Sequence, residues 1–137
     1  TCAHPISNRS PLIRIPVTRG EGTRVELRCP DSAANPYLTL AVCLQAGLDG
    51  IRNQIEPPAA VTENVFEMRM SQKNKLGIEE LPADLGEALA EFEKDEYLQN
   101  VLGRHATEKY IEAKKSEWAD YRAQVSDWEI NNYLYKI

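Results

Sequence analysis

Little in this sequence fits the classes that a few residue types usually announce. Its three cysteines, Cys2, Cys29 and Cys43, are odd in number, widely spaced and without a CxxC pair. That argues against a disulfide framework or a zinc knuckle and points to a reducing, cytoplasmic setting. The two histidines, His4 and His105, lie too far apart to read as a metal pair. Basic residues are in deficit: 16 Lys and Arg face 21 Asp and Glu, for a net charge of -5. Direct nucleic-acid binding calls for the opposite balance. No apolar run approaches the roughly 20 residues of a membrane span, and the first residues lack the basic and apolar regions of a signal peptide. There is no internal repeat and no low-complexity tract.

What is present is globular in character. The chain has 137 residues, 42% of them hydrophobic and 27% charged. This is the length of one ordinary domain, long enough to bury about two-thirds of its unfolded surface. Residues 12–29 alternate as strands do. Ile13, Ile15 and Val17 share one parity; beyond 18–22, Thr23, Val25, Leu27 and Cys29 fall on one face and Arg24, Glu26 and Arg28 on the other. The pattern predicts a β-hairpin with Gly20 and Gly22 in its loop. Asn35 and Pro36 open a helix expected over 36–49. Its apolar residues leave little polar surface, which predicts a helix packed on most sides, with Gly50 as its left-handed cap. Cys29 and Cys43 read as core residues, since nothing nearby would activate a thiol.

From Glu56 to Leu81 periodicity fails, and an extended surface excursion is expected. Asp84 then caps a helix carrying Leu85, Leu89 and Phe92, with Glu87 at the capping-box position. A short segment over 95–102 stops at Gly103. A long helix from about His105 carries Ile111, Trp118 and Val125 at heptad spacing, with Tyr121 and Trp128 on a complementary stripe. The fold class expected is α+β: a short antiparallel hairpin, a buried helix and a mostly helical C-terminal region. The organisation expected is 1–55, strands and buried helix; 56–82, surface excursion; 83–137, helical tail.

One stretch stands apart chemically. Arg9, Arg14, Arg19, Arg24 and Arg28 crowd into twenty residues of an acidic chain. Guanidinium forks match phosphate and carboxylate geometry, so several on one sheet face suit a polyanion. Glu26, between Arg24 and Arg28, could hold a hard divalent cation that bridges to phosphate. Spacing alone also allows a plain alternative, a charged strand face turned to water.

The residues themselves resemble a family. Asn8-Arg9-Ser10, Ile13-Arg14-Ile15-Pro16, Arg24-Val25-Glu26-Leu27-Arg28, Asn35-Pro36-Tyr37 and Ala46-Gly47-Leu48-Asp49-Gly50-Ile51 occur in an order and spacing similar to those of the C-terminal part of bacterial type I glutamine synthetase. The likeness continues through Leu81-Pro82-Ala83-Asp84-Leu85 and the Trp118 helix. It implies ATP-dependent amidation of glutamate by ammonia through a γ-glutamyl phosphate. It also implies site roles. Arg9 would contact the transferring phosphate and the glutamate, and Arg28 the glutamate. Arg14 and Arg24 would contact ATP phosphates, and Glu26 would ligate Mg2+ or Mn2+. A double-ring homo-oligomer and nitrogen-regulatory protein partners come with the resemblance as well; nucleic acid and membrane do not.

The family's other metal ligands have no counterpart here, so the resemblance implies part of a longer chain, inactive alone. The rival is a free-standing, catalytically dead module of the same fold that binds nucleotide or another anion, or that oligomerises. In the resemblance, Asn64-Val65-Phe66 matches the segment in which some type I enzymes carry an adenylylated tyrosine. Phe66 has no hydroxyl to modify, which implies control by feedback inhibition and regulatory complexes instead. Mass spectrometry of the native protein should accordingly find no adenylyl group within residues 62–70.

Overall fold

The hairpin expected over 12–29 forms, but its ladder is short. In the computed structural model, which describes the backbone of residues 2–3 together with residues 10–134 and 136, β2 (Ile13–Arg14) pairs antiparallel with β3 (Glu26–Leu27). The register sets Ile13 opposite Leu27 and Arg14 opposite Glu26. The Arg28 N–H extends the ladder by donating to the Leu12 carbonyl at 3.0 Å. Pro16, which has no N–H to give, stands two residues beyond β2, and a 3-10 turn at Gly20–Gly22 closes the loop. A strand the alternation did not announce, β1 (Cys2–Ala3), lies parallel to β2, giving the order β1-β2-β3. Val25 and Leu27, expected on a covered face, are exposed. The chain folds as two units, Thr1–Glu80 and Leu81–Ile137; the sheet belongs to the first, and nothing described in that unit covers this face.

Helix α1 (Pro36–Arg52) starts where Asn35 and Pro36 predict, the Asn35 carboxamide oxygen accepting from the Tyr37 and Leu38 N–H groups. It runs past the expected end. Gly50 is inside it, and the left-handed position falls to Gln54, with φ of 53°. There the Ile55 N–H donates to the Gly50 carbonyl at 2.9 Å and the Gln54 N–H to the Ile51 carbonyl at 3.3 Å, the paired bonds of a Schellman ending. The expected burial of this helix is not met. None of its residues is buried, and Tyr37, Leu40, Leu44 and Ile51 are open to solvent. A helix without a polar face needs neighbours on most sides. The first unit offers three two-residue strands and a small excursion.

The excursion is more ordered than its sequence suggests. Val61, Met68 and Ile78 are buried together, with Val65 packed against them. A 3-10 turn at Val65–Glu67 and α2 (Met70–Lys75) bring them into contact. Val61, Val65 and Met68 have helical spacing, but the segment between them is a 3-10 turn flanked by extended residues, and Ile78 lies off that period. Lys73 closes the segment through its ion pair with Glu80 at 2.6 Å.

The second unit holds α3 (Leu85–Lys94), α4 (Glu96–Leu102) and α5 (Arg104–Arg122). Asp84 caps α3 as expected: its carboxylate accepts from the Glu87 N–H at 2.8 Å, while Glu87 reaches back to the Ala83 N–H at 2.9 Å. Leu89 is buried, and Phe92 meets Tyr110 edge to face at 5.9 Å between centroids. Polar clasps join the turns. Gln99 donates to the Phe92 and Glu93 carbonyls, and its own carbonyl accepts from the hydroxyl of buried Thr107 at 2.9 Å. Gly103, with φ of 79°, lets α5 start directly after α4. The long helix stops at Arg122, short of Val125 and Trp128, which are exposed. The heptad spacing is broken because Ser126 starts a new turn: its hydroxyl and N–H are both bonded to Glu129, forming the capping box of α6 (Asp127–Glu129). A π-helical turn at Ile130–Leu134 follows.

Gly86 shows how tightly α3 and α5 meet. A methyl group there would sit 2.5 Å from the Trp118 indole nitrogen. Trp118 also stacks on Tyr121, with ring centroids 5.6 Å apart. Replacing Gly86 by Ala gains about 1 kcal/mol of helix propensity but overpacks the contact by roughly 1–3 kcal/mol. Gly86→Ala should therefore lower the urea midpoint, a net loss of about 1 kcal/mol. Adding Trp118→Leu should recover part of it in a double-mutant cycle, since the two residues touch.

Candidate active site

The β2–β3 register brings the charged face of the hairpin together. Arg14 lies directly opposite Glu26, while Arg24 and Arg28 flank Glu26 at period two on its own strand. The result is one carboxylate held by three guanidiniums. Arg14 Nη1 donates to Glu26 Oε2 at 3.0 Å. Arg24 donates from Nε at 3.1 Å and from Nη2 at 2.8 Å to Glu26 Oε1. Arg28 Nη2 stands 3.6 Å from Oε2. Arg24 also donates to the Gly22 carbonyl at 3.1 Å, tying the cluster to the loop. The Glu26 side chain is 25% exposed and those of Arg14 and Arg28 26% and 29%. This is drier than a surface ion pair, so the charges are less screened.

Desolvation is the largest single influence on Glu26 and pushes its carboxyl upward. The Arg24 hydrogen bond and the charges of Arg14, Arg24 and Arg28 act against it, and together they hold the carboxyl below its ordinary value of 4.5. Three cations against one anion leave surplus positive charge, which suits a polyanion. The same arrangement bears on a metal. Both Glu26 oxygens are engaged by guanidiniums, and among the described residues no three His, Cys, Asp or Glu side chains gather to hold an ion. A cation at Glu26 would have to compete with the guanidiniums for its oxygens.

The other candidates separate. Arg9 and His4 lie outside the described residues. Arg19 is not in the cluster; its Nη1 donates to the Pro16 carbonyl at 2.6 Å and the Thr18 carbonyl at 3.1 Å, bracing the loop. Cys29 and Cys43, expected in the core, are free and exposed, because the surface on which they lie is not covered in this unit. Partial desolvation still pushes the Cys29 thiol up, with Cys43 adding to the effect, so no activated thiolate is indicated. One residue that composition and spacing did not single out is Ser10, whose hydroxyl accepts from the Val65 N–H at 2.9 Å. Its place beside Arg9 in the Asn-Arg-Ser motif was the available signal. Among the described residues no helix is long and apolar enough to cross a membrane.

The fold is α+β, a short strand pair followed by a mostly helical chain, and on the pair one carboxylate is held among three guanidiniums. The family profile described as glutamine synthetase, catalytic domain, matches residues 2–133, and the chain belongs to that family. The glutamine synthetase of Clostridium saccharobutylicum is 51% identical over 129 residues, 94% of this chain and 29% of that protein. The one from Methanocaldococcus jannaschii is 50% identical over 127 residues, 93% of this chain and 28% of that protein. The chain thus spans less than a third of the length of these relatives. In structure it is similar to the GmaS/ADP complex in conformation 1, with a TM-score of 0.79, 36% identity, and 96% of this chain and 29% of that one covered. Apo GmaS without ligand gives 0.75 at 38% identity, covering 93% and 28%.

The lowered carboxyl fixes the sign of a pH effect. A group whose folded value lies below its unfolded one contributes stability that is fully present above the unfolded value. That contribution disappears as pH falls through the folded value. Titration of the Glu26 carboxyl by carbon NMR should give a midpoint below 4.5. The hairpin should hold its order at neutral pH and loosen on acidification through that midpoint. Glu26→Gln should remove this part of the pH dependence.

Proposed function

We propose that this chain supplies the arginine face of a glutamine synthetase site, in a protein that amidates glutamate with ammonia at the expense of ATP. The observation that carries the reading is the cluster of Arg14, Arg24 and Arg28 around Glu26 in a chain of this family. The structural relative with ADP bound supports a nucleotide ligand. In this reading 1–55 carries the site strands and α1, 56–82 the excursion, and 83–137 the helical tail. The open apolar surface of α1 and of Val25 and Leu27 is surface that a longer chain, a ring neighbour or both would cover. A double ring with nitrogen-regulatory partners in the cytoplasm belongs to the same reading.

The chemistry follows from the residue types. A side-chain carboxylate oxygen of glutamate attacks the terminal phosphorus of ATP, and the bond to the ADP oxygen breaks. Ammonia then attacks the acyl carbon of γ-glutamyl phosphate, loses a proton and expels phosphate. Phosphoryl transfer of this kind needs positioning and charge neutralisation more than covalent help. Arg14 and Arg24 hold the ATP phosphates, Arg28 and Arg9 the glutamate. Glu26 keeps the guanidiniums spaced until phosphate arrives. Mg2+ or Mn2+, when bound, would neutralise phosphate charge with Glu26 as one of its ligands.

The test uses the native polypeptide that carries this sequence. It should form glutamine with ATP, glutamate and ammonia. Arg28→Ala should raise the KM for glutamate and Arg24→Ala that for ATP, each about ten- to hundredfold, the effect of losing a hydrogen bond between charged groups. Residues 1–137 expressed alone should form none. A native polypeptide that binds ADP with Mg2+ yet makes no glutamine would favour the binding-module reading.

A further inference from the structure

We infer that Ser10 is a positioning residue, through which the 61–78 excursion sets the strand that carries Arg14; the inference rests on the nucleotide reading of that strand. The excursion is organised from within. Val61, Met68 and Ile78 are buried together with Val65 against them. Asn64 fixes the 3-10 turn by accepting from the Phe66 N–H at 3.1 Å and donating to Glu67 at 2.7 Å. The Lys73 carbonyl and side chain bind Ile78 and Glu80. At the head of that turn, the Val65 N–H donates to the Ser10 hydroxyl, a bond that spans 55 residues of sequence.

From Ser10 the route to the site is short and stiff. Pro11 is fully buried, with its φ fixed by its ring. The Leu12 carbonyl accepts from the Arg28 N–H, and Arg14 then pairs with Glu26. The β1–β2 and β2–β3 ladders that hold Arg14 are each only two residues long, so short a sheet gains from a further fixed point. A packed segment bonded four residues before Arg14 supplies a second fixed point. In the site an error of about 1 Å in a guanidinium is costly. Ser10 touches none of the reacting groups in this scheme; it acts through β2.

Coupling of this kind is reciprocal, which makes it measurable without a variant. In the native polypeptide, ADP with Mg2+ should slow hydrogen exchange at the Val65 amide, although that amide is not in the site. Ser10→Ala should weaken ADP binding by about three- to tenfold, the scale of one net hydrogen bond. It should raise the KM for ATP more than it lowers kcat, and it should abolish the nucleotide-induced slowing at Val65. Ser10→Thr keeps the acceptor oxygen and should restore all three. If ADP binds the unaltered protein and Val65 exchange does not respond, or if Ser10→Ala binds ADP as the parent does, the inference is overturned while the nucleotide site stands. Failure of the unaltered protein to bind ADP overturns both. Should Ser10→Ala not fold, the exchange measurement on the unaltered protein decides alone.

Discussion

Glu26 is the point on which the site turns. Three guanidiniums cannot share one short strand pair without an anion between them, because like charges at that spacing repel. The carboxylate accepts from Arg14 across the ladder and from Arg24 along it, with Arg28 in ion-pair range. It replaces mutual repulsion with a fixed fan of donors. Because it is one charge against three, the cluster keeps a net positive charge. Deep burial of the carboxylate would demand full compensation; full exposure would let water compete. Partial burial is the compromise seen here, with the Arg24 guanidinium shared between Glu26 and the Gly22 carbonyl.

The two units hold themselves together in different ways. The second is held by helix caps and polar clasps, while Tyr121, Val125, Trp128, Tyr133 and Leu134 remain exposed. Leu89 packs inside it, Gln99 and Thr107 satisfy the carbonyls at its helix joints, and Asp84, Asp95 and Ser126 cap helix starts. The first unit carries the arginine cluster on short strands, with an uncovered helix and a small core set apart in the excursion. Apolar area of the extent seen on α1 is unfavourable in water, which is the ground for the proposal that other parts of a longer chain or a ring neighbour cover it. The tether from Ser10 to the excursion is then one of the few internal constraints that the site strand has.

Much of this was legible from local chemistry. Asn35-Pro36 and Asp84 with Glu87 specify helix starts because a side-chain oxygen satisfies an N–H that the helix leaves unpaired. The alternation of Arg24, Glu26 and Arg28 placed the site residues on one face because strand side chains have period two. The short motifs then carried the family. Where the reading missed, the missing information was not local. The end of α1 depends on the Ile55 N–H reaching the Gly50 carbonyl. The end of α5 depends on Ser126 and Glu129 capturing each other. The core of the excursion brings Ile78, ten residues on, back onto Val61, Val65 and Met68.

The sequence by itself determined where α1 and α3 start, that residues 12–29 form a hairpin, which strand face is charged, and the family to which the chain belongs. Propensity, capping and side-chain period act over a few residues, and a motif needs only order and spacing. The tertiary structure decided what pairs with what. It set Arg14 against Glu26 across the hairpin, sent Arg19 to the loop backbone, bonded Ser10 to a turn 55 residues away and left α1 uncovered. These outcomes rest on register, on loop closure and on which neighbours are present to exclude water, and each is a property of the assembled chain.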